Sequence, residues 1–129
     1  MEEKEIRKKR MKQIETFHFE NKTAVEIKDM NLFYGDFQAL KKINMTIFQK
    51  EITAMIGPSG CGKSTLLKSL NRMNDLVSEC RVEGAVLIGG QNIYDKNTNL
   101  SMLRKNVGMV FQRPNPFAMS VYYNIAYGP

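Results

Sequence analysis

The chain has 129 residues, of which 43% are apolar and 25% are charged, with nine methionines and no tryptophan. This is the composition of a folded domain, and no apolar run approaches the ~20 residues that a membrane-spanning helix needs. The formal charge of +6 favours anionic partners, but part of the excess lies in the first dozen residues, so it does not indicate a nucleic-acid partner.

Residues 1–21 are dense in charges of both signs and show only a ragged apolar period. We expect a solvated, partly helical tail here in preference to a lipid- or nucleic-acid-binding arm, with His18 at the surface. The segment lacks the apolar stretch of a signal peptide, which predicts a cytoplasmic protein. The two cysteines, Cys61 and Cys80, are too few for a disulfide framework and have no metal-ligand spacing, which fits a reducing compartment.

Alternating apolar residues then predict a strand from residue 24, a turn at 34–36 and a second strand over 43–47. Residues 52–56 are apolar on both faces, which predicts a buried strand of a parallel or mixed sheet that ends at Gly57.

A helix should follow this strand, because Leu66, Leu67, Leu70 and Met73 form one apolar stripe at helical spacing. Further along, we expect a strand over 82–88, a turn at 89–90, an amphipathic segment over 100–104, a strand over 107–111 and a loop over 112–117. The whole pattern predicts an α/β domain over residues 22–129.

The junction between the buried strand and the helix fits the pattern G-x-x-x-x-G-K-[ST] without a mismatch and lies in the strand-to-helix context that the pattern requires. Glycines let such a loop turn its backbone N–H groups inward as a nest for phosphate oxygens at the positive end of a helix. The loop residues are Gly57, Pro58, Ser59, Gly60, Cys61, Gly62, Lys63 and Ser64.

Three side chains at the end of this loop carry the expected chemistry. Lys63 supplies a charge to the β- and γ-phosphates, the Ser64 hydroxyl takes a place in the Mg²⁺ shell, and Thr65 contacts an α-phosphate oxygen. The alternative is a glycine turn before a helix whose lysine is merely solvated.

A phosphate loop alone does not distinguish kinases, GTPases, helicases and transporters, but the flanking residues do. The loop reads GPSGCGKST and follows Asn-Leu-Phe-Tyr-Gly at 31–35 and Ala-Leu-Lys-Lys-Ile at 39–43, which resembles the opening of the ABC ATPases. The resemblance implies that Tyr34 stacks on adenine, although a core tyrosine at a strand end is the alternative. It also implies that Gln112 belongs to a loop whose glutamine amide reaches Mg²⁺ and the attacking water.

Residues 70–76, 113–117 and 124–129 are similar to the ATP-binding subunits of bacterial phosphate importers, with Ala118 and Tyr123 departing from that pattern beside the partner-docking loop. The resemblance implies a P-loop NTPase fold of the ABC type and ATP hydrolysis coupled to phosphate import. It implies two kinds of partner, membrane permease subunits and a second nucleotide-binding subunit arranged head to tail, at the cytoplasmic face of the membrane.

The ABC ATPases also use a Walker B aspartate, an adjacent glutamate, a signature sequence and a switch histidine, all beyond the glutamine loop. The chain stops before them, so we expect a truncated domain, the antiparallel β-subdomain with the start of the P-loop core, that does not turn over ATP alone. Residues 87–91 mimic the signature but lie at a predicted strand-to-turn junction. An inactive remnant and a P-loop nucleotide kinase are the alternatives.

Overall fold

The computed structural model describes residues 22–128, so the charged N-terminal segment and His18 lie outside the described residues. Four strands form one antiparallel sheet: β1 (Thr23–Tyr34), β2 (Phe37–Phe48), β3 (Cys80–Ile88) and β4 (Gln91–Asn92). The strand order is β2-β1-β3-β4. The helices within residues 22–128 are α1 (Lys63–Ser69), α2 (Leu100–Asn106) and α3 (Val121–Ala126), with a 3-10 helix at Met73–Leu76.

The two predicted N-terminal strands form a hairpin, β1 and β2, joined at Gly35 and Asp36 as expected. Both strands are longer than the alternating pattern indicated. Their buried side chains lie on one face, where they meet α1, α2 and β3 in a single apolar core. The core residues are Ile27, Met30, Leu32, Leu40, Leu66, Val86, Ile93 and Leu103.

β3 confirms the strand that was predicted over 82–88, and it pairs with β1 from Tyr34↔Cys80 to Val25↔Ile88. Its last residue, Ile88, is followed by the predicted turn at Gly89 and Gly90, after which the chain returns as β4. The sequence that mimics an ABC signature is therefore a turn between two strands.

The helix after the phosphate loop is shorter than its apolar stripe predicted. α1 spans Lys63–Ser69, and Met73 begins a 3-10 helix instead, because Arg72 between them adopts a left-handed backbone with φ 59°. Leu66 is buried, but Leu67 is 46% exposed, so only part of the predicted stripe faces the sheet.

Two predicted strands are wrong. Residues 52–56 and 107–111 have no regular secondary structure, and Ile52, Ile56 and Val110 are 101%, 97% and 97% exposed. An apolar strand of this kind is stable only between neighbours that satisfy its backbone and cover both faces. Among residues 22–128 neither segment pairs with a strand of the sheet.

α2 confirms the amphipathic segment predicted over 100–104. The Asn99 side chain caps it by accepting a hydrogen bond from the backbone N–H of Met102, and Leu103 points into the core. α3 was not predicted. It is capped by Ser120, and its apolar and aromatic side chains are exposed.

Candidate functional site

The predicted phosphate loop runs directly into α1. Cys61 N–H donates to the Pro58 carbonyl at 3.3 Å, which closes a turn over Ser59 and Gly60. The Gly62 carbonyl accepts the first bond of the helix, from Leu66 N–H at 2.9 Å. A loop that turns inward and ends in a helix is the arrangement that presents backbone N–H groups to an anion.

Glycine is favoured at Gly57 and Gly62 for different reasons. Gly62 has φ +100°, and a Cβ there would lie 2.8 Å from Leu40 Cδ2. A Cβ on Gly57 would lie 2.9 Å from Cys61 Sγ, inside the loop. Side chains at these positions would distort the loop or fill the space that phosphates would occupy.

Lys63 closes the loop from within. Its Nζ donates to the carbonyls of Gly57 at 2.5 Å and Pro58 at 2.8 Å, and it lies 3.5 Å from Cys61 Sγ. An ammonium has three N–H donors, and two of them are taken by these carbonyls. The third donor is directed at the Cys61 sulfur, so all three bonds of the ammonium are made within its own loop.

The next two residues occupy the first turn of α1. Ser64 is exposed, so its hydroxyl is accessible beside the loop. Thr65 is half-buried, and its carbonyl accepts a hydrogen bond of 2.9 Å from the Asn74 side-chain amide.

Tyr34, the expected adenine platform, lies at the end of β1 next to the same helix. Its hydroxyl donates to Asn74 Oδ1 at 2.9 Å, and its half-buried ring packs against the core. Burial raises the pKa of Tyr34, an effect that a side-chain hydrogen bond with Thr65 opposes. The structure thus brings the Tyr34 side chain to the helix that begins at Lys63, although the two are far apart in sequence.

Gln112 is the predicted site residue that the structure does not bring to the loop. It is exposed, in a segment without regular secondary structure. Among the described residues, no hydrogen bond or ion pair joins Gln112 to residues 57–65. The reason is that the strand expected to carry it, over 107–111, does not form.

Asn74 is the site residue that sequence reasoning missed. It is 1% exposed and uses both ends of its amide, accepting from Tyr34 and donating to Thr65. In the sequence, Asn74 stands out only as part of the stretch 70–76, whose family resemblance assigns it no role.

One cavity lies elsewhere. It is an open cleft of about 780 Å³ between the β3–β4 turn and α2, and no loop residue lines it. The chemistry of the loop, a lysine bridging two carbonyls at the start of a helix, is a better guide to the site than cavity size. Cys61 is exposed and Cys80 half-buried, and both are free thiols.

Comparison with known proteins places residues 40–125 in a family described as ABC transporter. The chain is 65% identical over 106 residues to the phosphate import ATP-binding protein PstB of Pseudoalteromonas translucida. The matched residues make up 82% of this chain and 38% of that protein. PstB 3 of Streptococcus pneumoniae is 64% identical over 103 residues, covering 80% of this chain and 41% of its own length. PstB of Borreliella burgdorferi is 59% identical over 109 residues, covering 84% and 42%.

The chain therefore spans about two-fifths of the length of the curated relatives it matches. Within the part of the chain that the structure describes, every helix is too short or too polar to reach from one side of a membrane to the other.

Proposed function

Since this chain belongs to the ABC transporter family, we propose that it binds Mg·ATP through the loop 57–64 and forms part of one ATP site in an ATPase that drives inorganic phosphate import. The observation that carries the proposal is the Lys63 ammonium, held by the Gly57 and Pro58 carbonyls. These bonds fix the lysine across its own loop, so that the charge is in place before a phosphate arrives.

The residues around the loop fit a nucleoside triphosphate. Phosphate oxygens would replace the loop acceptors of the Lys63 ammonium, with charge-assisted hydrogen bonds worth roughly 1.5–3 kcal/mol each. The loop backbone supplies further donors, and the glycines at 57 and 62 keep side chains out of the cradle. The phosphate-binding residues of the proposal are Gly57, Pro58, Ser59, Gly60, Cys61, Gly62, Lys63, Ser64 and Thr65.

The same end of α1 fits Mg²⁺. Ser64 presents an accessible hydroxyl beside the loop. Mg²⁺ is commonly held by one or two protein oxygens, several waters and the substrate phosphates, so a hydroxyl and the amide oxygen of Gln112 are suitable donors. Because Gln112 makes no contact with the loop among the described residues, its role requires residues 107–112 to become ordered against α1.

Tyr34 is the proposed base platform. An aromatic face contributes ~1–3 kcal/mol per stacked base and reads no hydrogen-bonding edge, so the preference for adenine over guanine should be shallow. The position of its hydroxyl beside Thr65 supports this role, because it keeps the ring near the phosphate end of the site.

Phosphate as the transported solute is proposed from the relatives, whose names specify phosphate import. Permease subunits at the cytoplasmic face of the membrane and a second nucleotide-binding subunit are the partners that this role requires. Disruption of the gene that encodes this chain should lower cellular uptake of labelled phosphate and leave uptake of labelled sulfate unchanged. Equal uptake of phosphate with and without the gene would contradict this assignment.

The 129 residues should not turn over ATP alone. They supply a cradle and a metal-side hydroxyl, but positioning of the attacking water needs a carboxylate, and charge stabilisation needs groups from a second subunit. A phosphate-release assay should therefore give equal rates for the wild type and Lys63→Ala, the variant that controls for contaminating ATPases. Turnover by the wild type alone would overturn this expectation.

Nucleotide binding itself is tested by thermal unfolding. A ligand that binds only the folded chain stabilises it by about 2.7 kcal/mol at a concentration of 100 Kd. Mg·ATP should therefore raise the Tm of the wild type more than that of Lys63→Ala. If neither protein responds, the chain is an inactive remnant.

A further inference from the structure

We propose that Asn74 is a positioning residue for the nucleotide: it sets the distance between the Tyr34 base platform and the phosphate loop by bridging Tyr34 and Thr65. The inference deepens the proposed function and rests on it. It assigns a role to the stretch 70–76, which the proposed function leaves without one.

The bridge consists of two hydrogen bonds from one buried side chain. Tyr34 Oη donates to Asn74 Oδ1 at 2.9 Å, and Asn74 Nδ2 donates to the Thr65 carbonyl at 2.9 Å. A carbonyl can only accept, so Thr65 fixes which end of the amide faces it, and the amide oxygen must then face the tyrosine hydroxyl. Asn74 is 1% exposed, so its amide is shielded from water.

The backbone around Asn74 is anchored from two sides. The Arg72 guanidinium pairs with Asp75 at 2.7 Å and donates to the Ile93 carbonyl at 3.1 Å, which ties the 3-10 helix to the residue after β4. Arg104, on α2, donates to the carbonyls of Asn71 at 3.3 Å and Arg72 at 3.0 Å. Asn74 is thus held by the protein rather than by its two partners alone.

A bound nucleotide must span the distance between Tyr34 and the phosphate loop. Tyr34 belongs to the sheet, whereas Thr65 is two residues beyond Lys63 on α1, and Asn74 is the side chain hydrogen-bonded to both. ATP must contact the aromatic ring and the loop at once, so its affinity depends on the spacing between them. Inorganic triphosphate contacts only the loop, so its affinity does not depend on that spacing.

The test compares calorimetric titrations of Mg·ATP and Mg·tripolyphosphate into the purified chain. Loss of a neutral hydrogen bond should lower ATP affinity about fivefold in Tyr34→Phe and at least as much in Asn74→Ala, which loses both bonds of the bridge, with triphosphate affinity changed less than about twofold. Tyr34→Phe keeps the ring, so the loss would come from position and not from stacking area. The double variant should bind ATP about as well as Tyr34→Phe, because Tyr34→Phe already removes the tyrosine end of the bridge together with the side-chain hydrogen bond of Tyr34 with Thr65.

Tyr94→Phe is the matched control. The Tyr94 hydroxyl donates to the Ser69 carbonyl at 2.8 Å, so this variant also loses a tyrosine bond to α1, but at the opposite end of the helix. Its ratio of ATP to triphosphate affinity should equal that of the wild type.

A purely structural role for Asn74 predicts that the affinities for ATP and triphosphate fall together, and that result would overturn the proposal. An unchanged ratio of ATP to triphosphate affinity in Tyr34→Phe would also overturn it. If Asn74→Ala does not fold, Asn74→Ser replaces it, because Tyr34→Phe also loses the side-chain hydrogen bond of Tyr34 with Thr65 and does not isolate the bridge. If the wild type binds neither ligand, the proposed function fails and this inference with it. If Lys63→Ala abolishes binding of both ligands but the bridge variants keep the wild-type ratio, only this inference fails.

Discussion

Lys63 Nζ lies 2.5 Å from the carbonyl oxygen of Gly57, the first residue of the loop at 57–64. This bond spans the loop and holds a positive charge at the start of α1. It is the feature that separates this loop from an ordinary glycine turn before a helix, in which the lysine would extend into solvent.

Cys61 should report occupancy of the loop. Its thiol is exposed, and it lies 3.5 Å from Lys63 Nζ, so bound phosphates would cover it. We expect Mg·ATP to protect Cys61 from alkylation by a maleimide, as measured by mass spectrometry of peptides. The half-buried Cys80 serves as an internal standard, and in Lys63→Ala protection should be lost. Equal labelling of Cys61 with and without Mg·ATP in the wild type would contradict a phosphate site here.

The fold of the loop should depend on Gly62. Gly62→Ala would place a Cβ 2.8 Å from Leu40 Cδ2 and impose φ +100° on a residue with a side chain, so we expect a loss of about 1–3 kcal/mol in the free energy of unfolding. Urea denaturation measures this. The control is Gly108→Ala, where no atom lies within 4 Å of the added Cβ, and which should change stability by less than about 0.5 kcal/mol. Similar stabilities for the two variants would mean that the loop does not need its left-handed turn.

Local patterns predicted the antiparallel part of the fold well. β1, β2 and β3 form where apolar and polar residues alternate, because in a sheet with one solvated face the pattern itself specifies which face is buried. The turn that leads into α1 at Lys63 was equally predictable, since the glycines allow the left-handed backbone that it needs. These features need no information from distant parts of the chain.

The failures concern features that depend on distant residues. Whether residues 52–56 form a strand is decided by neighbouring strands, which their own composition does not reveal. The hydrogen bond between Tyr34 and Asn74 joins residues that are 40 apart in sequence. It depends on a left-handed turn at Arg72, which no local pattern predicts. Gln112 lies away from the loop because the strand that was expected to carry it does not form.

The two exposed apolar segments should make the purified chain associate. Ile52, Ile56 and Val110 are almost completely exposed, and unpaired apolar backbone is prone to pair between molecules. Sedimentation velocity should show species larger than a monomer that grow with concentration, and Ile52→Lys with Ile56→Lys should reduce them. Thr53→Lys is the control, because it adds charge to the same segment without removing a large apolar side chain. A concentration-independent monomer in the wild type would refute this expectation.

The central claim is that the loop at 57–64 binds the phosphates of ATP through Lys63, and calorimetric titration of Mg·ATP tests it most directly. Lys68→Ala is the matched control, because it removes the same charge from the same helix without touching the loop. Loss of at least one charge-assisted bond should weaken binding by about tenfold or more in Lys63→Ala, whereas Lys68→Ala should stay within about twofold of the wild type. Equal affinity of the wild type and Lys63→Ala would contradict the account.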